Sequence, residues 1–185
     1  MPVDQLIENE AFVQFEKDSF EECTFKSCDF TKIKLSYSKF ENCIFVECNF
    51  SNTSIVQTSF HSCDFRECKM TGLSFEDINP FLFGINCKNC DLSYSFFAEN
   101  DLTRSAFIDC NFSSGQFVEV NARGSNFDGG NFTGTIFDHS VLIGANFSNA
   151  INLTMDISSN KISKMKIDKE NLSGLLEAFD LDIIG

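Results

Sequence analysis

Hydrophobic positions in this chain recur with a period of five. From Phe15 to Phe75 every fifth residue is apolar: Phe15, Phe20, Phe25, Phe30, Leu35, Phe40, Phe45, Phe50, Ile55, Phe60, Phe65, Met70 and Phe75. With 43% apolar residues in the chain, such a run in one register arises by chance with a probability below about 1 in 10,000. A helix turns every 3.6 residues and a strand alternates every two, so neither keeps every fifth side chain on one face. The backbone must turn a corner at each repeat. Four corners of five residues make a square coil of about 20, and stacked coils bring residue n beside residue n+20 at the sheet spacing of about 4.8 Å.

The residues two before the repeat centres test this reading. Cys23, Cys43 and Cys63 fall there, as do Cys28, Cys48 and Cys68, and each set differs by the length of one coil. The pattern predicts vertical columns of large centres with a small residue beside each, a place that cysteine fills as a small, polarisable hydrophobe. Cys28-Asp29-Phe30-Thr31-Lys32 and Ala145-Asn146-Phe147-Ser148-Asn149 resemble the pentapeptide-repeat family, in which a small residue, Asn or Asp, and Leu or Phe precede two polar residues. The resemblance covers roughly residues 12–167 and implies an all-β solenoid, a right-handed quadrilateral β-helix. About eight coils of 20 residues are expected, followed by a C-terminal α-helix and a short terminal strand.

Breaks in the period divide the chain. Residues 1–11 are acidic and out of register, and are expected to cap the first coil and hide its unpaired edge. The first half runs over 12–75. Residues 76–81 then insert two positions, and a second register opens over 82–167 with Leu82, Cys87, Leu92, Phe97, Leu102, Phe107, Phe112, Phe117, Ala122, Phe127, Phe132, Phe137, Leu142 and Phe147. Pro80 cannot donate to a ladder and Gly84 relaxes the backbone, which places a bulge or bend at this hinge. The period stumbles at Asn152, beside Leu153, and resumes at Ile157, Ile162 and Ile167 as weaker coils. In residues 168–185 it gives way to helical spacing, with Asp168 as N-cap and Leu172, Leu175, Leu176 and Phe179 along one side. Leu181-Asp182-Ile183-Ile184-Gly185 closes the chain in extended form. The apolar helix and strand are read as a homodimer interface of Leu172, Leu175, Leu176, Phe179, Ile183 and Ile184, with capping of the last coil as the alternative.

Eighteen of the 23 Phe residues occupy repeat centres. Each contributes roughly 1.5–3 kcal/mol on burial, so the column dominates stability. The nine cysteines are odd in number and follow no leader-like segment, which points to reduced thiols in a cytoplasmic protein. No apolar run reaches the roughly 20 residues that span a bilayer. Asn-x-Ser/Thr triplets such as Asn111-Phe112-Ser113 are by-products of the repeat. The net charge of −13, from 27 acids against 14 bases, argues against nucleic acid or an anionic membrane as a direct partner and favours a basic protein surface.

Catalytic chemistry finds little support. His61 and His139 both fall on outward positions, and no Ser-His-Asp arrangement emerges. Cys87-Lys88-Asn89-Cys90 has metal-like spacing, but Cys87 is a repeat centre, Cys90 takes a small position, and no second such pair exists. No metal or cofactor is expected. The outward positions from Asp91 to Asn160 carry eight acids and two bases. Solubility explains this blandly. A sharper reading is a rod of about 38 Å, eight coils at about 4.8 Å, bearing carboxylates at a spacing comparable with duplex phosphates. Asp101, Asp109, Glu119, Asp128 and Asp138 are the candidate partner-binding face.

Within the family, the Phe-rich first register, the Asn79-Pro80-Phe81-Leu82-Phe83-Gly84-Ile85 interruption and the ending from Leu175 to Gly185 are similar to the Qnr quinolone-resistance group. That resemblance implies a rod-like homodimer that binds the type II topoisomerases DNA gyrase and topoisomerase IV as a duplex mimic and protects them from quinolones. Unlike many of that group, the chain has no external loops interrupting its coils, as in the group's mycobacterial relatives, and Asp180 stands where the group commonly has Gly. The alternative is an interaction scaffold whose partner is not a topoisomerase. A mimic needs its acids along one side, whereas a scaffold scatters them.

Overall fold

The computed structural model describes residues 2–12 and 19–179. Phe15 and the expected closing strand, with Ile183 and Ile184, lie outside the described residues. The chain winds as a parallel β-solenoid of about eight coils with four flat faces. Short strands, most of two or three residues, pair one coil apart: Phe20 with Phe40 and Phe40 with Phe60, Phe25 with Phe45 and Phe45 with Phe65. In the second half Phe97 pairs with Phe117 and Phe117 with Phe137. Naming the faces in chain order, face I is built on Phe20, Phe40 and Phe60, face II on Phe25, Phe45 and Phe65, face III on Phe30, Phe50 and Met70, and face IV on Leu35, Ile55 and Phe75.

Aromatic packing explains the choice of phenylalanine. Rings of successive coils stack, as for Phe30 and Phe50 at 4.6 Å and 6°, while rings of neighbouring faces meet edge to face, as for Phe40 and Phe45 at 5.4 Å and 71°. Both are favoured arrangements of the ring quadrupole. The small positions do more than leave room. The Cys43 thiol donates to the Phe20 carbonyl at 3.5 Å, Cys48 to Phe25 at 3.4 Å and Cys63 to Phe40 at 3.4 Å; the Thr58 and Thr135 hydroxyls donate in the same way to Leu35 and Phe112. A small side chain with a donor ties each coil to the one before, which the description of cysteine as a hydrophobe overlooks.

The corners have a conformational signature. The second residue after most centres is left-handed, as at Glu22 (φ 55), Ser27 (φ 51), Lys32 (φ 61) and Tyr37 (φ 66). The position before the centre prepares the turn: Asp29 accepts from the Thr31 backbone N–H at 2.9 Å, Asn49 from Ser51 at 3.0 Å and Asn131 from Thr133 at 3.1 Å. These side-chain-closed turns explain why Asn or Asp recurs at this position.

The N-terminal segment lies in register on the first coil. Residues Leu6–Glu8 pair with Thr24–Lys26, placing Ile7 on Phe25, and Phe12 stacks on Phe30 at 4.8 Å. Its offset is therefore 18, and the five-residue spacing of Ile7 and Phe12 was the available signal. The hinge also departs from expectation. Leu82 is not a centre: it turns a corner at φ 54, and Phe83 fills the column in its place, 5% exposed. The inserted residues shift the pairing to His61 with Gly84 and then Cys63 with Ile85, a β-bulge, after which the coil of 20 resumes with Cys87 on Phe107.

At the other end, Leu153 and Met155 are buried and Ile157, Ile162 and Ile167 are half-buried at the edge of the core. A 3₁₀ turn at Lys169–Asn171 leads into one short α-helix, Leu172–Leu176, and a second 3₁₀ turn at Glu177–Phe179. Asp168 makes no side-chain cap; its carboxylate accepts the Asn149 backbone N–H instead. Asn171 closes the coil, donating to the Ala150 carbonyl at 2.9 Å. Gly174 lies against the Leu153 carbonyl where any Cβ would collide, so the helix rests directly on the last coil.

Candidate partner surface

The five candidate acids fall on three faces, not one. Asp101 is on face I, paired with Asn121; Asp109 and Asp128 belong to face II; Glu119 and Asp138 belong to face IV, where Asp138 pairs with Val118. Asp101 is also part of its own turn, accepting from the Thr103 N–H at 3.0 Å and from the Asn121 amide at 3.4 Å. Asp128 accepts from the Asn149 amide at 2.8 Å.

The structure brings a different set together. Face IV carries Glu76, Asp77, Glu99, Glu119, Asp138 and Asp156 over successive coils, with no Lys or Arg on it from Leu73 to Ser159. Ser74 pairs with Phe96, and the strands Phe96–Ala98, Gln116–Val118 and Ile136–Asp138 form one sheet, which sets the coils of Glu76, Glu99, Glu119 and Asp138 one above another. All are exposed except the half-buried Asp138, which His139 meets at 2.7 Å. Sequence reading missed Glu76 and Asp77 because they sit in the hinge, and left Glu99 and Asp156 out of the candidate set although both are outward acids. Sorting residues by position modulo one coil, with two subtracted after the hinge, recovers them.

The other faces differ in character. Over the second half, face I sets Arg104, Arg123, Lys161 and Lys164 against Asp101 alone. Face III carries a nearly neutral ladder in which Asn111 donates to Asp91 at 3.1 Å and Asn131 to Asn111 at 3.2 Å. Partial burial works against the Asp91 charge, but hydrogen bonds from Ser93, Thr71 and Asn111 outweigh it and hold the carboxyl below its ordinary value.

Of the candidate dimer residues, Leu175 is 5% exposed and part of the molecule's own column. Leu176 is half-buried, whereas Leu172 and Phe179 are each 48% exposed. All nine cysteines are free and buried; Cys90 donates to the Phe65 carbonyl at 3.4 Å in the ordinary small-position manner. Among the described residues no group of three or more His, Cys, Asp or Glu is arranged to hold a metal ion, and no helix is long and apolar enough to cross a membrane.

These features define a class: a four-sided β-solenoid of five-residue repeats whose chemistry lies on its outward faces. The pentapeptide repeat region model matches residues 18–97, and pentapeptide repeats in eight copies match residues 82–114 and 116–151. The chain belongs to the pentapeptide-repeat family. It is similar in structure to a trypsin-treated variant of QnrB1, a plasmid-mediated fluoroquinolone resistance protein, with a TM-score of 0.70 and 21% identity over 96% of this chain and 99% of that one. Full-length QnrB1 aligns with a TM-score of 0.57 and 20% identity over 97% and 99%. At this identity the likeness establishes the shared fold. No curated protein matches the chain by sequence.

Proposed function

We propose that the protein is a Qnr-like binder of type II topoisomerases, in which face IV acts as the duplex-mimicking surface toward DNA gyrase or topoisomerase IV and shields the enzyme from quinolones. One observation carries this reading: six carboxylates on one face over five successive coils, without an intervening Lys or Arg. At about 4.8 Å per coil they present negative charge at a spacing that a groove built for phosphates would accept. The likeness to a fluoroquinolone resistance protein supports the same reading. Homodimerisation through Leu172 and Phe179, with Ile183 and Ile184 beyond the described residues, would lengthen the acidic face. The acids left on other faces, Asp101 on face I and Asp109 and Asp128 on face II, favour a second reading, an interaction scaffold with a non-topoisomerase partner, because charge is then scattered rather than gathered along one side.

The test is a gyrase supercoiling assay with and without ciprofloxacin, comparing the wild type with Glu99→Lys/Glu119→Lys and with Phe179→Ser. Rescue of supercoiling that is lost in the first variant supports the duplex mimic; loss in the second as well adds the dimer. Absence of rescue and of inhibition at all concentrations assigns the protein to the scaffold class.

A further inference from the structure

We propose that face I of one copy docks on face IV of the next, so that four copies close side by side into a ring. Faces IV and I are adjacent sides of the column, and over the second half they carry opposite character coil by coil. Glu99 on face IV stands level with Arg104 on face I, and Glu119 with Arg123. One coil on, the exposed Ile136 is level with the half-buried Val141 and Ile143. In the next coil Asp156 lies one side before Lys161 and Lys164. Two hydrogen-bonded ladders set these levels, Phe97, Phe117 and Phe137 on face IV and Asp101, Asn121, Val141 and Lys161 on face I.

The match does not rest on the acids alone. Acid, acid, apolar, acid on one side meets base, base, apolar, base on the other when both copies run in the same direction. Reversing one copy sets the apolar level of each face against a charge on the other, so the order of residues also selects the parallel arrangement. The two carboxylates that break the pattern are held within their own chain: Asp101 accepts from the Thr103 N–H and the Asn121 amide, and His139 meets Asp138 at 2.7 Å.

A contact between two different surfaces of one chain closes into a ring only if its rotation closes. Adjacent sides of a four-sided column turn each copy by a quarter turn, and the fourth copy meets the first. Each copy then uses both faces, and the last contact forms within the assembly, which strengthens it through effective concentration. The net charge of −13 repels the copies, but at physiological salt charges beyond about 8 Å are largely screened, whereas the facing pairs lie in contact. This association stands without the topoisomerase reading, and a copy within the ring has its face IV covered.

The test is sedimentation equilibrium of the full chain at about 0.15 M ionic strength. With rising micromolar concentration the wild type should move from the 20.8 kDa of one chain toward four times that mass. Glu99→Arg/Glu119→Arg and Arg104→Glu/Arg123→Glu should each lose the tetramer. An equimolar mixture of the two should restore it, because the basic face IV of the first then meets the acidic face I of the second, and the reverse; restoration also shows that both variants fold. Ile136→Asp should lower the tetramer fraction. Lys26→Glu/Lys88→Glu on face II, which changes the net charge as much as the face I reversal, should leave the mass unchanged. A wild type that stays monomeric, a mass unmoved by either reversal, or a mixture no heavier than its components would overturn the proposal. So would a dimer that survives both reversals, which reports the C-terminal contact instead.

Discussion

Phe75 and Phe97 stack at 4.3 Å and 5° although 22 residues separate them. The two inserted residues at the hinge are thus expelled sideways, and the aromatic column passes through without a gap. Phe97→Ala should therefore cost about 3–5 kcal/mol, the range for emptying a buried aromatic site. Phe81, 72% exposed in the same hinge, should tolerate Ser within about 0.5 kcal/mol. Urea unfolding of both variants checks the contrast.

The small positions require a donor as well as a small volume. Cys63→Ser should stay within about 1 kcal/mol of wild type, because Thr58 makes the equivalent bond to a carbonyl of the previous coil. Cys63→Leu should lose about 1–3 kcal/mol through overpacking. Equal stability of the Ser and Leu variants in denaturant melts would show that the thiol bond is incidental.

Alkaline pH should unfold the molecule through its thiols. Burial pushes Cys43 from its ordinary value of 9.0 up to about 11. An unfolded chain releases the proton first, so the stabilisation is fully present below about pH 9 and is lost as pH rises toward and through 11. A thiol-reactive dye should accordingly label the native protein at pH 8 only as fast as it opens, and labelling of all thiols within seconds would contradict the buried ladder.

Asp91 acts at the opposite end of the scale. Its carboxyl is held below the ordinary 3.8, so its contribution is present above that value and fades as pH falls through the lower folded one. Asp91→Ala, which strands Ser93, Thr71 and Asn111, should cost about 1–2 kcal/mol at pH 7 and much less at pH 2, as followed by thermal melts at the two pH values.

Gly129 and Glu67 occupy the same corner place with φ 71 and 55. Gly129→Ala places a Cβ against the Asp109 carboxylate in a left-handed backbone and should destabilise by about 1–3 kcal/mol. Glu67→Asn should be neutral or stabilising by up to about 1 kcal/mol, because Asn accepts this region more readily. Melting temperatures of the two variants decide it.

The period of five, the coil of 20 and the Phe and Cys columns were legible in the sequence, because a continuous core places a residue of one type at every inward position. The hinge position was legible too, through Pro80 and the two extra residues. What the tertiary structure decided concerns places where the period pauses or where outward residues are sorted. Ile7 and Phe12 lie on the first coil at an offset of 18, Phe83 displaces Leu82, and Leu175 enters the molecule's own column, since each depends on which side chain fills a shared space. Asp101, Asp109, Glu119, Asp128 and Asp138 looked like one acidic set in the sequence, yet only Glu119 and Asp138 share face IV. Inward positions must satisfy packing and so leave a strong periodic mark; outward positions are free to vary, and their grouping emerges only when the corners, and the bulge at His61 and Gly84, set which residues stand above one another.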